Sequence, residues 1–282
     1  MRLIAFGGDA RMDGAAEAAR RAGWEAMHIR AEADVPGESL KADAALLPWP
    51  YSFKDEQLAG GEMSKERTLE LLRGCGFVLH GGGVDGVELP EGSANPAGDE
   101  VFLRENAELT AEGVICRAMQ RPGAAIMGAT CVITGFGRIG QALARRLCAL
   151  SAFVIVCARN EAQMRAAHDM GAHPVPLAAI CSALRHADVV FNTVPARVLG
   201  WEELRKMRKG VLLIELASPP YGADPALAMQ MGVSLAMESG VPGRYAPGNA
   251  GAALFAALQR AMARQEEKRE AEKREAGGDA DG

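Results

Sequence analysis

Residues 130–159, TCVITGFGRIGQALARRLCALSAFVIVCAR, decide the fold. A short apolar run, Cys131-Val132-Ile133-Thr134, leads straight into Gly135-x-Gly137-x-x-Gly140. An amphipathic segment follows to Leu150, and a second apolar run opens at Phe153. That order is strand, tight turn, helix, strand. In such a unit Gly135 permits the sharp turn, Gly137 lets a pyrophosphate approach the backbone, and Gly140 lets the helix pack closely on the strand. The helix N-terminus adds unpaired N–H groups and a positive dipole for the phosphates. The stretch therefore predicts a Rossmann unit with Gly135, Phe136, Gly137, Arg138, Ile139 and Gly140 on the cofactor side. The same glycines without the flanking strands and helix would read as a glycine-rich turn with no ligand.

Composition agrees with this class. A chain of 282 residues has room for two domains, and 49% hydrophobic residues with only 5% aromatics describe an α/β protein rich in Ala, Val and Leu. A formal net charge of -5 without a concentrated basic face argues against nucleic acid as a partner. The apolar stretch before Asp9 is too short for a signal peptide, and no run nears the ~18 apolar residues of a membrane span, so a cytoplasmic protein with no membrane partner is expected. The six cysteines show no CxxC pairing and mostly lie in apolar segments, the pattern of buried thiols rather than of a metal site or disulfides.

Elsewhere the chain follows the same periodicities. A strand at 3–6 ends in Gly7-Gly8-Asp9-Ala10-Arg11, a helix covers 13–22, and a strand follows at 25–29. This second βαβ opening lacks the GxGxxG spacing and carries an acid and a base in its turn, which predicts a site for something other than a dinucleotide. Further strands are expected at 44–47, 77–79 and 101–103, helices at 64–73 and 106–119, and a surface loop over 86–98. Past the dinucleotide turn come a helix at 161–170 and strands at 188–191, 211–215 and 233–236. Two of these strands end in Asn192-Thr193-Val194-Pro195 and Leu216-Ala217-Ser218-Pro219-Pro220, at the expected carboxyl edge of a doubly wound parallel sheet, where such folds bind ligands. Thr193, Val194, Pro195, Ala217 and Ser218 are therefore expected beside the cofactor. Residues 239–247 read as a loop, and a long helix from 249 runs into a charged end that frays.

One position refines the cofactor. NAD-selective folds place an acid about twenty residues past the glycines, on the ribose 2′-hydroxyl. Here Arg159 stands at that place, followed by Asn160. A guanidinium can pair with a 2′-phosphate bidentately where a carboxylate would repel it. NADP is the expected cofactor, with NAD the alternative and an exposed strand-end arginine the plainer account.

With these segments in view, the chain resembles the A subunit of dipicolinate synthase. The likeness runs from Gly7-Gly8-Asp9-Ala10-Arg11 through Thr110-Ala111-Glu112-Gly113, the glycine turn, Ala158-Arg159, Asn192-Thr193-Val194-Pro195 and Leu216-Ala217-Ser218 to Pro242-Gly243-Arg244-Tyr245-Ala246-Pro247 and Ala250-Gly251. The GGDAR opening and the PGRYAP segment together are its most specific parts. The resemblance implies an NADP-dependent oxidoreductase that converts dihydrodipicolinate, formed from 4-hydroxy-tetrahydrodipicolinate, to dipicolinate. That places it on a branch of lysine biosynthesis serving sporulation, partnered by a flavoprotein-like B subunit. It further implies an α/β architecture in which a flavodoxin-like substrate domain covers 1–122 and the Rossmann domain covers 123–240. Residues 241–282 would then supply a substrate-side loop, a helix packing back on the first domain, and the charged tail. A homo-oligomer is expected. Pro219 stands where the family often has Arg, and Gly248-Asn249 where it has Lys-Thr, so two carboxylate anchors are absent.

Such a reaction asks the protein to hold a small dicarboxylate ring against a nicotinamide and to accept one proton. Arg11 and Arg244 are the candidates for the two carboxylates, from segments expected to flank an interdomain cleft; Gly8, Thr110 and Tyr245 complete the substrate side. Asp9 and Glu112 are the catalytic candidates, to orient Arg11 or take the proton. Plainer roles are a helix cap for Asp9, a solvated helix face for Glu112, and an ordinary loop histidine for His80. Two other functions remain open at this stage: a different NAD(P)-dependent dehydrogenase of a small carboxylic acid, or a non-catalytic NAD(P)-binding redox sensor.

Overall fold

Short apolar runs with both faces covered build the first sheet. The computed structural model describes residues 1–36, 40–121 and 125–278, with side chains through 274. In chain order the first elements are β1 (Arg2–Phe6), α1 (Ala10–Arg21), β2 (Glu25–Ile29), β3 (Ala44–Leu46), a small antiparallel hairpin of β4 (Phe53–Lys54) and β5 (Gln57–Leu58), α2 (Lys65–Leu72), β6 (Val78–Leu79) and α3 (Glu100–Met119). The sheet runs β2-β1-β3-β6, all parallel. Leu3, Ile4, Ala5 and Phe6 are fully buried, as a parallel strand covered on both faces requires.

The second sheet is longer. Its elements are β7 (Thr130–Thr134), α4 (Arg138–Ala149), β8 (Phe153–Ala158), α5 (Glu161–Asp169), β9 (His173–Pro176), α6 (Ile180–Leu184), β10 (Val189–Asn192), α7 (Trp201–Leu204), β11 (Leu212–Glu215), α8 (Pro225–Gln230) and β12 (Ser234–Met237). The strand order β12-β11-β10-β7-β8-β9 is parallel throughout and reverses direction between β7 and β10. That reversal is the switch point where doubly wound folds open a ligand crevice. Two helices close the chain, α9 (Val241–Tyr245) and α10 (Pro247–Gly278).

By contact the chain divides into a unit of Met1–Asn106 with everything from Pro242 on, and a unit of Ala107–Val241. The first division falls inside α3; the boundary expected at 122/123 lies outside the described residues. In the first unit α10 returns to α1 through facing glycines. A β-carbon on Gly14 would stand 2.6 Å from the Pro247 carbonyl oxygen, and one on Gly251 would fall on the Arg11 carbonyl. Leu254, Phe255 and Leu258 of α10 share a core with Leu3, Ala5 and Met12.

Two expectations are corrected and one strand is added. Residues 101–103 are no strand but the first turn of α3, because Asp99 Oδ1 accepts the N–H groups of Val101 and Phe102 at 3.0 and 3.1 Å and starts a helix there. Part of the loop expected over 239–247 is α9. The edge strand β9 is absent from the periodicity because Pro174 and Pro176 interrupt it, as edge strands tolerate. Among the described residues no helix is long and apolar enough to cross a membrane, and no cluster of His, Cys, Asp and Glu could hold a metal ion. All six cysteines are free, and burial pushes the Cys131 and Cys157 thiols up to about 12; Cys116, however, is exposed.

Candidate functional site

Gly135 leaves β7 with φ of +87°, and its N–H donates to the Cys157 carbonyl at the end of β8 at 2.8 Å. A β-carbon there would stand 2.8 Å from both Thr193 Oγ1 and Val194 Cγ2, so the turn is closed against the loop after β10. Gly140 is closed as well, since its β-carbon would fall on the Gly135 carbonyl oxygen. Gly137 is the opposite: a β-carbon there meets no atom within 4 Å. It is the N-cap of α4, where no side chain makes a cap hydrogen bond, and a helix N-terminus with its positive dipole end suits an anion. Two tight glycines and one open one at an uncapped helix N-terminus fit a dinucleotide pyrophosphate. Phe136 is 2% exposed, so it offers backbone alone, whereas Arg138 is exposed and Ile139 half-buried.

Arg159 is exposed just past β8 and has no hydrogen-bond or ion-pair partner among the described residues. Asn160 is otherwise employed: its Oδ1 accepts from the Gln163 N–H at 2.9 Å and caps α5. The loop after β10 is pinned where the sequence expects the cofactor, with Thr193 donating to the Thr134 carbonyl from both N–H and Oγ1, at 3.1 and 2.8 Å. Ala217 is half-buried, and Ser218, which is exposed, accepts from the Tyr221 N–H at 3.0 Å.

The polar centre of the first unit lies at the carboxyl end of β1. Gly8 donates its N–H to the Ala59 carbonyl at 2.7 Å beneath the β4–β5 hairpin, so that amide is not available to a substrate. Asp9 caps α1, taking the Arg11 N–H at 3.0 Å. The Arg11 side chain, 11% exposed, forks onto Asp9 with Nε to Oδ1 at 2.8 Å and Nη2 to Oδ2 at 2.9 Å, while Nη2 also donates to the Trp49 carbonyl at 2.8 Å. Burial pushes the Asp9 carboxyl up, but the Arg11 guanidinium and backbone N–H outweigh it and hold the group below its ordinary range. This geometry suits Asp9 to fixing Arg11.

Pro242, Gly243 and Arg244 belong to the same unit, and Gly243 is seated directly against Asp9, its β-carbon position 2.6 Å from Oδ2. The two segments expected on opposite sides of a cleft are thus packed together, because α10 docks on α1 and carries α9 with it. The Arg244 guanidinium lies over the Tyr245 ring at 5.7 Å. In the second unit Thr110 is 6% exposed and Glu112 pairs with Arg146 of α4 at 2.9 Å, an ion pair on the surface of that unit. His80 bonds the Gly81 carbonyl through Nδ1 at 2.8 Å.

Residues 102–230 match the family described as D-isomer specific 2-hydroxyacid dehydrogenase, NAD binding domain. The second unit is a nicotinamide-dinucleotide-binding Rossmann domain. The chain is also 33% identical over 158 residues to the A subunit of dipicolinate synthase of Bacillus subtilis (strain 168), a match covering 56% of this chain and 53% of that protein. The chain is similar to the A subunit of dipicolinate synthase. It spans about half the length of that curated relative in the match. The crystal structure of the same subunit from Bacillus halodurans superposes with a TM-score of 0.76 at 26% identity, over 92% of this chain and 96% of that one. For the dipicolinate synthase A chain from Bacillus subtilis the TM-score is 0.77 at 22% identity, over 95% and 97% of the two chains, which bears on the fold alone.

The likeness to these dipicolinate synthase A chains covers both units, yet several side chains that shape their carboxyl edges carry no motif. His28, 8% exposed, bridges the Gly7 carbonyl and Asp13 at 2.7 and 2.8 Å. Ser52, fully buried, takes the Gly81 N–H at 2.7 Å. Glu215, 1% exposed, closes the apolar run Val211-Leu212-Leu213-Ile214. Only the last left a trace in the sequence: an acid ending a buried strand must find donors.

Proposed function

We propose that this chain is an NADP-dependent oxidoreductase, the dehydrogenase subunit of a dipicolinate synthase, which oxidises dihydrodipicolinate derived from 4-hydroxy-tetrahydrodipicolinate. The observation that carries the reading is the open Gly137 between the closed Gly135 and Gly140 at the uncapped start of α4, in a chain similar to the A subunit of dipicolinate synthase. Bound there, the nicotinamide supplies a hydride acceptor. The chain's own work is to bind and orient. The α4 N-terminus takes the pyrophosphate, and Thr193, Val194, Pro195, Ala217 and Ser218 border the nicotinamide half. Arg159, exposed and unpaired among the described residues, takes the 2′-phosphate, which favours NADP over NAD.

On the substrate side, Arg11 takes one carboxylate through Nη1, the guanidinium nitrogen that neither Asp9 nor the Trp49 carbonyl engages, and Arg244 takes the other. Thr110 and Tyr245 border the ring. Losing one hydride and one proton converts a dihydropyridine to the aromatic pyridine, so the protein need supply little beyond orientation and a proton acceptor, for which Glu112 is the candidate. The reading includes partnership with a B subunit, self-association, and work in the cytoplasm for sporulation, on a branch of lysine biosynthesis. The test is to supply the purified chain with NADP and a hydroxytetrahydrodipicolinate precursor made in situ, and to follow dipicolinate and NADPH absorbance together. Equimolar appearance of both is expected; neither appearing, with the chain alone or with a B subunit, sinks the proposal.

A further inference from the structure

The carboxyl edge of the second sheet contains a buried carboxylate with a complete set of donors. Oε1 of Glu215 accepts from Asn192 Nδ2 at 2.5 Å and from the Ala217 N–H at 3.0 Å. Its Oε2 accepts from the N–H groups of Gly222 and Ala223 at 3.0 and 3.2 Å. Asn192, also fully buried, donates a second bond to the Val194 carbonyl at 3.1 Å, and its Oδ1 accepts from Thr134 Oγ1 and from the Val194 N–H, the latter at 3.3 Å. Gly222 has no side chain to spare here, since a β-carbon would fall on the Asn192 amide. The ends of β7, β10 and β11 are thus joined by one network, and what it holds at its rim is backbone: Val194 on both its polar atoms, and residues 217, 222 and 223 by their N–H groups.

Stability alone is a poor reason for this arrangement. A buried charge satisfied by donors is commonly matched or bettered by apolar residues of the same volume. What a network of this kind supplies that apolar packing does not is a fixed position for two irregular loops at the switch point of the sheet. Those loops, 193–195 and 216–223, border the half of the site away from Arg159. We infer that Glu215 is a positioning residue: acting through Asn192, it holds both loops in the shape that receives the nicotinamide half of the dinucleotide. The inference rests on the dinucleotide reading above and deepens it.

The test separates the two halves of the ligand. Glu215→Gln turns an NH2 group toward one of the two pairs of N–H donors, whichever way the amide is set, so the loops must shift. NADPH binding is followed by its fluorescence, adenosine 2′,5′-bisphosphate binding by calorimetry, and folding by thermal melts. Glu215→Gln should weaken NADPH about tenfold while leaving adenosine 2′,5′-bisphosphate within about twofold, the loss of one well-satisfied buried bond being felt only where the loops are read. Glu215→Asp, which keeps two acceptor oxygens at shorter reach, should recover part of the NADPH affinity. Thr134→Val removes a single hydroxyl, gives a measurement even if Glu215→Gln fails to fold, and should show the same selectivity in smaller measure. Equal loss of both probes in step with a lowered melting point, or no loss of either, overturns the inference. A wild-type chain that binds neither probe, nor NADH, would instead remove the dinucleotide reading, and this inference with it.

Discussion

A β-carbon on Gly243 would stand 2.6 Å from Oδ2 of Asp9, the carboxylate that grips Arg11. Residues from opposite ends of the chain therefore share one small polar centre, and position 243 has no room for a side chain. Gly243→Ala must displace the carboxylate and loosen the Arg11 fork, at an expected cost of about 0.5–1.5 kcal/mol, the scale of one hydrogen bond, because what yields is the end of a half-exposed side chain. Thermal melts check this; an unchanged midpoint would show that the centre yields freely.

Asp99 ties the start of α3 to α10. Its Oδ1 caps α3 and its Oδ2 takes Arg260 Nε at 2.8 Å, with the carboxylate 4% exposed. Burial pushes this carboxyl up, but the Arg260 guanidinium and the Phe102 and Val101 N–H groups outweigh it, holding it below its ordinary value of 3.8. A carboxyl lowered in the folded state contributes stability that is complete above the unfolded value and lost as pH falls through the folded one. The first unit should accordingly weaken below about pH 4. Asp99→Asn, unable to ionise, should lose about 1–3 kcal/mol at pH 7 and show a shallower acid limb in urea midpoints measured against pH. A variant limb parallel to that of the wild type would assign acid lability to other carboxylates.

Gly137 faces space, with φ of -78° and ψ of -166°, a conformation open to any residue. Gly137→Val should fold as the wild type does while placing two methyl groups where the pyrophosphate is proposed to bind. Loss of NADPH fluorescence enhancement with an unaltered melting point is expected; retained affinity would move the cofactor site elsewhere.

Legibility in the sequence followed how local the cause was. The β7–α4–β8 unit could be read from its spacing because Gly140 answers to Gly135 within the same thirty positions and Gly137 to a cofactor of known shape; the closure of Gly135 on Thr193 and Val194 could not be read there. The first turn of α3 could not, because Val101-Phe102-Leu103 is apolar enough for a strand and only the Asp99 cap decides for helix. Nor could the seat of Gly243 on Asp9, which depends on Gly14 and Gly251 bringing α1 and α10 into backbone contact. Glu215 shows the same limit: its donors are the N–H groups of loops whose course the sequence does not specify.

Arg159 should decide cofactor choice. Arg159→Asp should move the preference from NADP toward NAD by about 1–3 kcal/mol, the scale of a charge-assisted hydrogen bond. Dissociation constants for NADPH and NADH on both proteins measure it, and a wild type that binds the two equally would end the assignment.

Arg11 and Arg244 carry the substrate prediction, and the structure sharpens it by placing Arg244 next to the Gly243 that abuts the Asp9 partner of Arg11. Arg11, with Nε and Nη2 held by Asp9 and the Trp49 carbonyl, keeps Nη1 for one carboxylate of a small dicarboxylate, and Arg244 is the candidate for the other. Losing one partner of a desolvated pair costs roughly 2–5 kcal/mol. Arg11→Ala and Arg244→Ala should each raise the apparent substrate KM more than about tenfold at unchanged NADPH affinity, a tenfold change being 1.4 kcal/mol. Arg11 has a second duty, because it also holds Asp9 and the Trp49 carbonyl at 2.9 and 2.8 Å, so Arg11→Ala should lower the melting point as well. Arg244 is exposed, so Arg244→Ala should lower the melting point less than Arg11→Ala does. The pair of variants therefore separates binding from folding: a KM effect in both with the larger stability loss in Arg11→Ala fits a dicarboxylate site, whereas a melting-point loss in Arg11→Ala with normal KM in both would reduce Arg11 to the clasp of the Asp9 turn.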